Sequence, residues 1–338
     1  MNLARFETIT SRYRSLRIAV LGDFCLDRYL EIDPRRKEVS IETKLPVYNV
    51  VNVRAQAGGA GTILNNLVAL GVGGIFPIGF CGEDGEGFEL QRALRSLRGV
   101  SLKQFCVTPL RRTFTYCKPL VIQPGQPPRE LNRLDSKNWT TTPRLLQRTL
   151  GESLRNLAPK LDAVIVLDQT DVANTGVVAS RVLKTLQAVA RAHPKLLILA
   201  DSRQGLSSFP PVGFKMNAAE LAKFGRSKRR LDLAQIRTTA AALARRTRNP
   251  VFVTLAERGI VGALPDGQLE HLPALPVRGP IDIVGAGDSV TANLTTALAA
   301  GASLREAIEL ANAAASVVIH QLGTTGTASV PQIRKVLP

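Results

Sequence analysis

Short apolar runs, each closed by a glycine or a polar residue, recur along this chain with helix-period segments between them. Arg17–Gly22, Ala163–Leu167, Leu196–Ala200 and Val251–Leu255 are too uniformly apolar for strands with one wet face and too short for helices. They read as strands buried on both faces. With helices near Pro143–Leu157, Val177–His193 and Arg237–Arg248 between them, the alternation predicts an α/β fold with a mostly parallel central sheet and helices on both faces. The 338 residues, 45% of them hydrophobic, can fill such a core. We read residues 1–338 as one domain.

In open α/β sheets, ligands sit at the carboxyl ends of the strands, so the residues that close each run are the candidates. After the first come Asp23 and Asp27, placed either to grip a polyol or to cap turns. Asp168 closes the second run, and Asp201-Ser202-Arg203 the third. Asn217 and Glu220, three apart at a helix start, could hold the water shell of a Mg²⁺ ion or form an ordinary capping box. The segment Asp282–Ser289 is the most chemical. It is read as an extended stretch passing through Gly285-Ala286-Gly287 into an apolar helix from about Val290. Glycines let the backbone approach a ligand, the helix start leaves N–H groups for an anion, and Asp288 beside them could take a proton from a hydroxyl. The alternative is a plain glycine turn with an acid favoured by the helix dipole.

Two stretches break the alternation. Residues 28–55, with alternating Leu45–Val51, and residues 104–135, with strand character at Thr113–Leu120 and Glu130–Leu134, are predicted to leave the main sheet as a small β-sheet lid. Between them Gln56–Gly61 opens a helix through Asn65 and Asn66; Gly58 and Gly59 permit close approach to a ligand, and the asparagines can pair with hydroxyls.

Composition excludes other classes. No apolar run is long enough to span a bilayer, and the Arg-rich N-terminus lacks a signal peptide's apolar core, so a cytoplasmic location is expected. Cys25, Cys81, Cys106 and Cys117 and the three histidines lack metal-ligand spacing. The net charge of +17 is read as dispersed over Arg35-Arg36-Lys37, Arg111-Arg112, Lys228-Arg229-Arg230 and Arg245-Arg246. With 5% aromatics this argues for a surface that attracts phosphorylated substrates and leaves nucleic acid as a minor alternative.

Four segments in order, Gly58-Gly59, Asn217-x-x-Glu220, the Thr254-Leu255 turn, and Asp282 with Gly285-Ala286-Gly287-Asp288, resemble the PfkB, or ribokinase-like, family of carbohydrate kinases over about Arg17 to Val330. Leu26-Asp27-Arg28-Tyr29, Leu45-Pro46-Val47, Arg133-Leu134-Asp135 and Ala311–Ala315 resemble, within it, the branch that phosphorylates D-glycero-β-D-manno-heptose 7-phosphate at the anomeric hydroxyl, the kinase domain of bifunctional heptose kinase/adenylyltransferases. The resemblance implies a ribokinase-like fold using ATP and Mg²⁺, and leaves a K⁺ requirement open. It implies Asp288 as general base and Gly285, Ala286 and Gly287 as anion hole. Asn217 and Glu220 would serve Mg²⁺ through water, and Thr254, Gly259, Asn217 and Asn312 would line the nucleotide pocket. Asp27, Asp23, Gly58, Gly59 and Asn66 would hold the sugar, with Lys118 and Arg133 on its phosphate. It also suggests a homodimer through the lid.

The chain departs from the family pattern at Thr62 (usually Asn), Val284 (often Thr), Ala256 (often Gly), Asp168–Val172 and Val39–Thr43. These changes touch substrate identity. Fructose, ribose or a nucleoside therefore stand as alternative acceptors, and an idle nucleotide- or sugar-binding protein as an alternative class. No His-x-Gly-His segment occurs in these residues, so a separate protein is expected to add the nucleotide in a heptose pathway.

Overall fold

Every apolar run becomes a strand. The structure, a computed structural model, describes residues 1–227 and 229–337; Lys228 of the basic cluster and Pro338 lie outside the described residues. In chain order the strands are β1 (Arg17–Gly22), β2 (Phe24–Val39), β3 (Pro46–Gly59), β4 (Gly74–Gly82), β5 (Phe105–Thr108), β6 (Phe114–Val121), β7 (Arg129–Glu130), β8 (Leu134–Ser136), β9 (Ala163–Asp168), β10 (Leu197–Ser202), β11 (Gly213–Asn217), β12 (Val251–Thr254), β13 (Ile260–Ala263) and β14 (Leu269–Leu272).

The main sheet runs β14-β13-β12-β11-β10-β9-β1-β4-β5. From β12 to β5 every pairing is parallel, and β13 and β14 close one edge as an antiparallel hairpin. Side chains alternate faces along a strand, so β1 sends Ile18 and Val20 into one core and Ala19 and Leu21 into the other. Helices Ala60–Ala69, Ala286–Ala299 and Leu304–Ile319 cover the first face; Arg144–Leu157, Ser180–Ala192 and Leu233–Thr247 cover the second. Because the central strands are parallel, their carboxyl ends share one edge of the sheet.

A second sheet, β3-β2-β6-β7 with β8 against β6, stands off that edge. β2 and β3 pair antiparallel from Phe24↔Gly59 to Val39↔Pro46. Its boundaries differ from those expected. The first excursion begins at Phe24, one residue after β1, and the second is shorter at its start. Phe105–Thr108 is β5 on the main sheet beside β4, because Phe105 packs edge-on against Phe24 at 5.2 Å.

Residues 282–284 form no strand, and the following helix begins at Ala286 rather than Val290. Asp282 Oδ1 accepts from Val284 N–H (3.0 Å) and Ile283 carbonyl from Ala286 N–H (3.2 Å), which folds the stretch into a turn. Among the described residues no helix is long and apolar enough to cross a membrane.

After β12 the chain turns through Ala256 at φ 52, a left-handed conformation that costs an L-residue about 1–2 kcal/mol. The departure from glycine at this position is therefore strained. Ala256→Gly is expected to raise stability by up to about 1 kcal/mol, read as a higher urea midpoint at unchanged m-value; an unchanged or lower midpoint would show the turn to be relaxed.

Candidate active site

Four charged groups meet where the carboxyl ends of β10 and β11 face the start of helix Ala286–Ala299. Ala200 pairs with Phe214, so Asp201 and Lys215 follow side by side, and Lys215 Nζ lies 2.7 Å from Asp201 Oδ2. Lys215 is 7% exposed. Desolvation works against its charge, but Asp201 first and then Asp288 and Glu220 more than offset it, so its pKa is raised. An ammonium carries three donors; Asp201 takes one. The Nζ also stands 3.1 Å from where a Cβ on Gly287 would be, so glycine leaves room for it.

Gly285 is the N-cap at φ 82, and a Cβ there would meet Thr325 Cγ2 at 2.6 Å. Both conformation and space require glycine. No side chain caps this helix, and among the described residues no backbone acceptor faces the N–H of Gly287 or Asp288. Free N–H groups at a helix start favour an anion. Asp288, in the first turn and half-buried, has its carboxyl pushed up to about 7; desolvation is the main cause, Lys215 and Arg203 oppose it, and Asp201 and Asp27 add to it. A carboxyl poised near neutrality suits proton transfer.

Asn217 and Glu220 form the capping box: Asn217 Oδ1 accepts from Glu220 N–H (2.9 Å) and Glu220 Oε2 from Asn217 N–H (2.7 Å). Glu220 is raised in pKa by burial first and by Asp201, an environment a cation would relieve. Among the described residues no three His, Cys, Asp or Glu side chains converge to cage a metal. A cation held here would therefore keep most of its waters, as Mg²⁺ does, and the raised Glu220 carboxyl is the group it would relieve.

On the lid side, Asp27 is 7% exposed, with Lys118 Nζ 3.3 Å from its Oδ1. Desolvation raises its pKa and Lys118 opposes. Lys118 also lies over the Tyr29 ring at 4.9 Å, and Arg133 over Tyr116 at 5.1 Å while paired with Asp135 at 2.8 Å. A Cβ on Gly58 would collide with the Asp27 carboxylate, and Gly59 holds φ 59. Thr254 Oγ1 donates to the Met216 carbonyl (3.4 Å), Asn312 Nδ2 to those of Leu272 (3.2 Å) and Pro273 (3.1 Å), and a Cβ on Gly259 would strike the Leu272 carbonyl. These three gather at the β12–β14 end.

Two expected sugar contacts are placed elsewhere. Asp23 is 3% exposed, and its two oxygens accept N–H bonds from Val177 (2.6 Å) and Gln169 (2.9 Å), so it clips the end of β1 to the loop after β9. Burial first, then Asp168, pushes it up to about 7. Asn66 is wholly buried in its helix, donating to the Thr62 carbonyl at 3.0 Å, and presents nothing to the cleft. Conversely, sequence reasoning missed Lys215. Its signal was one charge inside the otherwise apolar Gly213-Phe214-Lys215-Met216. Asp201 was noticed only as a strand end.

The sequence profile described as pfkB family carbohydrate kinase matches residues 17–331. The bifunctional protein HldE of Bradyrhizobium sp. strain ORS 278 is 27% identical over 98% of this chain, and that of Helicobacter pylori strain J99 is 30% identical over 95%. The chain spans 66% of the length of each of these relatives. Among solved structures, Arabidopsis thaliana ribokinase complexed with ribose and ATP superposes with TM-score 0.67 at 18% identity, covering 95% of this chain and 98% of that one. Escherichia coli phosphofructokinase-2 in complex with substrates and products gives 0.71 at 18% identity, with the same coverage. This is the ribokinase-like fold.

The raised Asp288 carboxyl has a consequence for stability. It holds its proton up to about 7 when folded and releases it near 3.8 when unfolded, so its contribution is lost as pH rises through that window. Asp288→Asn cannot ionise. Its melting temperature is expected to pull ahead of the wild type's progressively between about pH 4 and about pH 7 and to keep a constant lead above that; a pH-independent difference by calorimetry would contradict the assignment.

Proposed function

The chain belongs to the pfkB family of carbohydrate kinases, and on that premise we propose that it transfers the γ-phosphoryl group of ATP to the anomeric hydroxyl of D-glycero-D-manno-heptose 7-phosphate. The chain is a sugar kinase, a phosphotransferase; the acceptor and the residue roles are our reading. One observation carries the mechanism: a carboxyl near neutrality lies in the same helix turn as free N–H groups, beside a buried ammonium with donors to spare.

Asp288 takes the proton of the acceptor hydroxyl as its oxygen bonds to the γ-phosphorus and the bond to ADP breaks. The free N–H groups of Gly287 and Asp288, with Lys215 Nζ, hold the charge on the phosphoryl oxygens, the Ala286 N–H of the expected anion hole being already given to the Ile283 carbonyl, and Asp201 keeps Lys215 aimed. Thr254, Gly259, Asn217 and Asn312 border the nucleotide. Asn217, Glu220 and Asp201 would hold Mg²⁺ through its waters, and the ion neutralises phosphate charge when bound. Asp27, kept in place by Gly58 and Gly59, grips a sugar hydroxyl, and Lys118 and Arg133 take the sugar's own phosphate as paired cations that an incoming phosphate can share. The two sheets face each other across the reacting groups, so closure of the smaller one excludes water. ATP supply fits a cytoplasmic enzyme.

Support for the heptose branch comes from the relatives and from Lys118 and Arg133 facing Asp27 electrostatically. The altered Val39–Thr43 and Asp168–Val172 stretches favour testing other sugars alongside. With ATP, Mg²⁺ and a panel of heptose 7-phosphate, sedoheptulose 7-phosphate, fructose 6-phosphate, fructose, ribose and nucleosides, ADP release is expected on heptose 7-phosphate. It should rise with pH through about 7 as Asp288 ionises, and fall at least about a hundredfold in Asp288→Asn with ATP binding retained. Turnover on another sugar would discard the branch; turnover unaffected by Asp288→Asn would discard the base.

The lid leaves Ile41 81%, Leu45 64% and Tyr48 62% exposed, which supports a homodimer formed through it. Light scattering should give twice the 36.4 kDa chain mass, and one chain mass for Ile41→Glu/Tyr48→Lys; a monomeric wild type would exclude the pairing.

A further inference from the structure

About half of the chain's net positive charge is gathered in one stretch of sequence. Residues 223–248 hold nine Lys and Arg against a single acid, Asp232, in a chain of net charge +17. The fold brings the two ends of that stretch together. Helix Ala218–Phe224 packs on helix Leu233–Thr247, with the Arg246 guanidinium 5.3 Å over the Phe224 ring and Phe224 against Phe214 at 6.1 Å. The carboxyl ends of both helices therefore meet at one corner. Asn249 Nδ2 donates to the Pro211 carbonyl (3.1 Å), which fixes that corner at the entry of β11 and β12, on the sheet edge opposite the strand ends that carry Asp201 and Asn217.

Lys223, Arg226, Arg245 and Arg248 are exposed there, while Arg229 and Arg230 are exposed on the loop that leads away from it to the start of helix Leu233–Thr247. Among the described residues the flanking ion pairs in sequence are Lys215–Asp201 before the stretch and Arg305–Glu270 after it. Helix dipoles account for cations in a last helical turn, such as Arg245 and Arg246. They do not account for Arg229 and Arg230 on the connecting loop. Arg226 and Arg248 each sit at φ 57, where glycine or asparagine is favoured.

The chemistry of the face selects its partner. Arginine dominates over lysine, and its planar fork matches phosphate oxygens. The large apolar side chains that are exposed skip from Val172 to Val277, so the corner offers nothing to insert between lipid chains. Its aromatic, Phe224, is half-buried between Arg246 and Phe214, so its ring is already occupied and leaves little face for base stacking. We propose that this corner binds the phosphodiester backbone of nucleic acid without reading its sequence, independently of the catalytic cleft and of the proposed sugar.

The test compares the full chain with two variants of equal charge. One carries Lys223→Gln, Arg226→Gln, Arg245→Gln and Arg248→Gln; the other removes four exposed arginines elsewhere, Arg92→Gln, Arg98→Gln, Arg144→Gln and Arg155→Gln. Probes are a labelled DNA duplex, a labelled single-stranded RNA and phosphatidylglycerol vesicles. Salt-dependent binding to DNA or RNA is expected, weakened about tenfold or more in the first variant with the log–log salt slope smaller by about 2 to 4, against about twofold in the second. Sugar-kinase turnover and melting temperature should stay level in both. Equal losses in the two variants would assign the binding to diffuse charge, binding to vesicles alone would assign the face to a membrane, and no binding to any probe would leave it solvated; each overturns the proposal.

Discussion

The buried pair of Lys215 and Asp201 is the interaction on which the rest of the site depends. Removing two charges from water costs several kcal/mol per ion, and an apolar pair would pack in a sheet interior at less expense. The pair fits this position because a third and a fourth charge, Asp288 and Glu220, share its surroundings. With Lys215 present, the half-buried Asp288 carboxyl sits near neutrality; desolvation and Asp201 alone would drive it higher. The same ammonium lies close to where a Cβ on Gly287 would be, so a residue that looks like part of an anion-binding backbone also leaves room for a side chain on the neighbouring strand.

The second sheet meets this arrangement from the other side. β2 starts one residue after β1, which ties the lid's first strand directly to the centre of the main sheet. Asp27 lies four residues along it, close enough to influence Asp288 electrostatically. A lid rooted so near the strand ends can move at its tip while its base keeps Asp27, Gly58 and Lys118 in register. The exposed Ile41, Leu45 and Tyr48 lie toward that tip, and the Lys118–Asp27 pair toward the root.

Charge read along the sequence and charge read in space lead to different pictures. As separate short clusters, Lys228-Arg229-Arg230 and Arg245-Arg246 look dispersed and solvated. Folding Leu233–Thr247 back on Ala218–Phe224 brings Arg245, Arg246 and Arg248 to the corner that holds Lys223 and Arg226, with Arg246 stacked on Phe224. A helix of 15 residues is long enough to return the chain to where it started. Spacing in sequence does not show that.

Strand existence and parallel order were legible because a strand buried on both faces must be apolar throughout, and β1, β9, β10 and β12 meet that demand within a residue or two of the expected bounds. The glycine turn with Asp288 was legible too, since positive φ and open N–H groups need glycine at Gly285. Asp23 and Asn66 were not. A carboxylate after a strand or an amide early in a helix reads the same whether it faces a ligand or a backbone N–H, and only the path of the loop after β9 and the packing of helix Ala60–Ala69 decided that both turn inward. Lys215 was hidden for the same reason, as the acid that stabilises it comes from a neighbouring strand 14 residues earlier. By itself the sequence determined which segments must be buried and where the backbone needs glycine, because those are local demands of solvation and torsion. Which charges meet one another was decided by the tertiary structure, because an ion pair is set by distance in space.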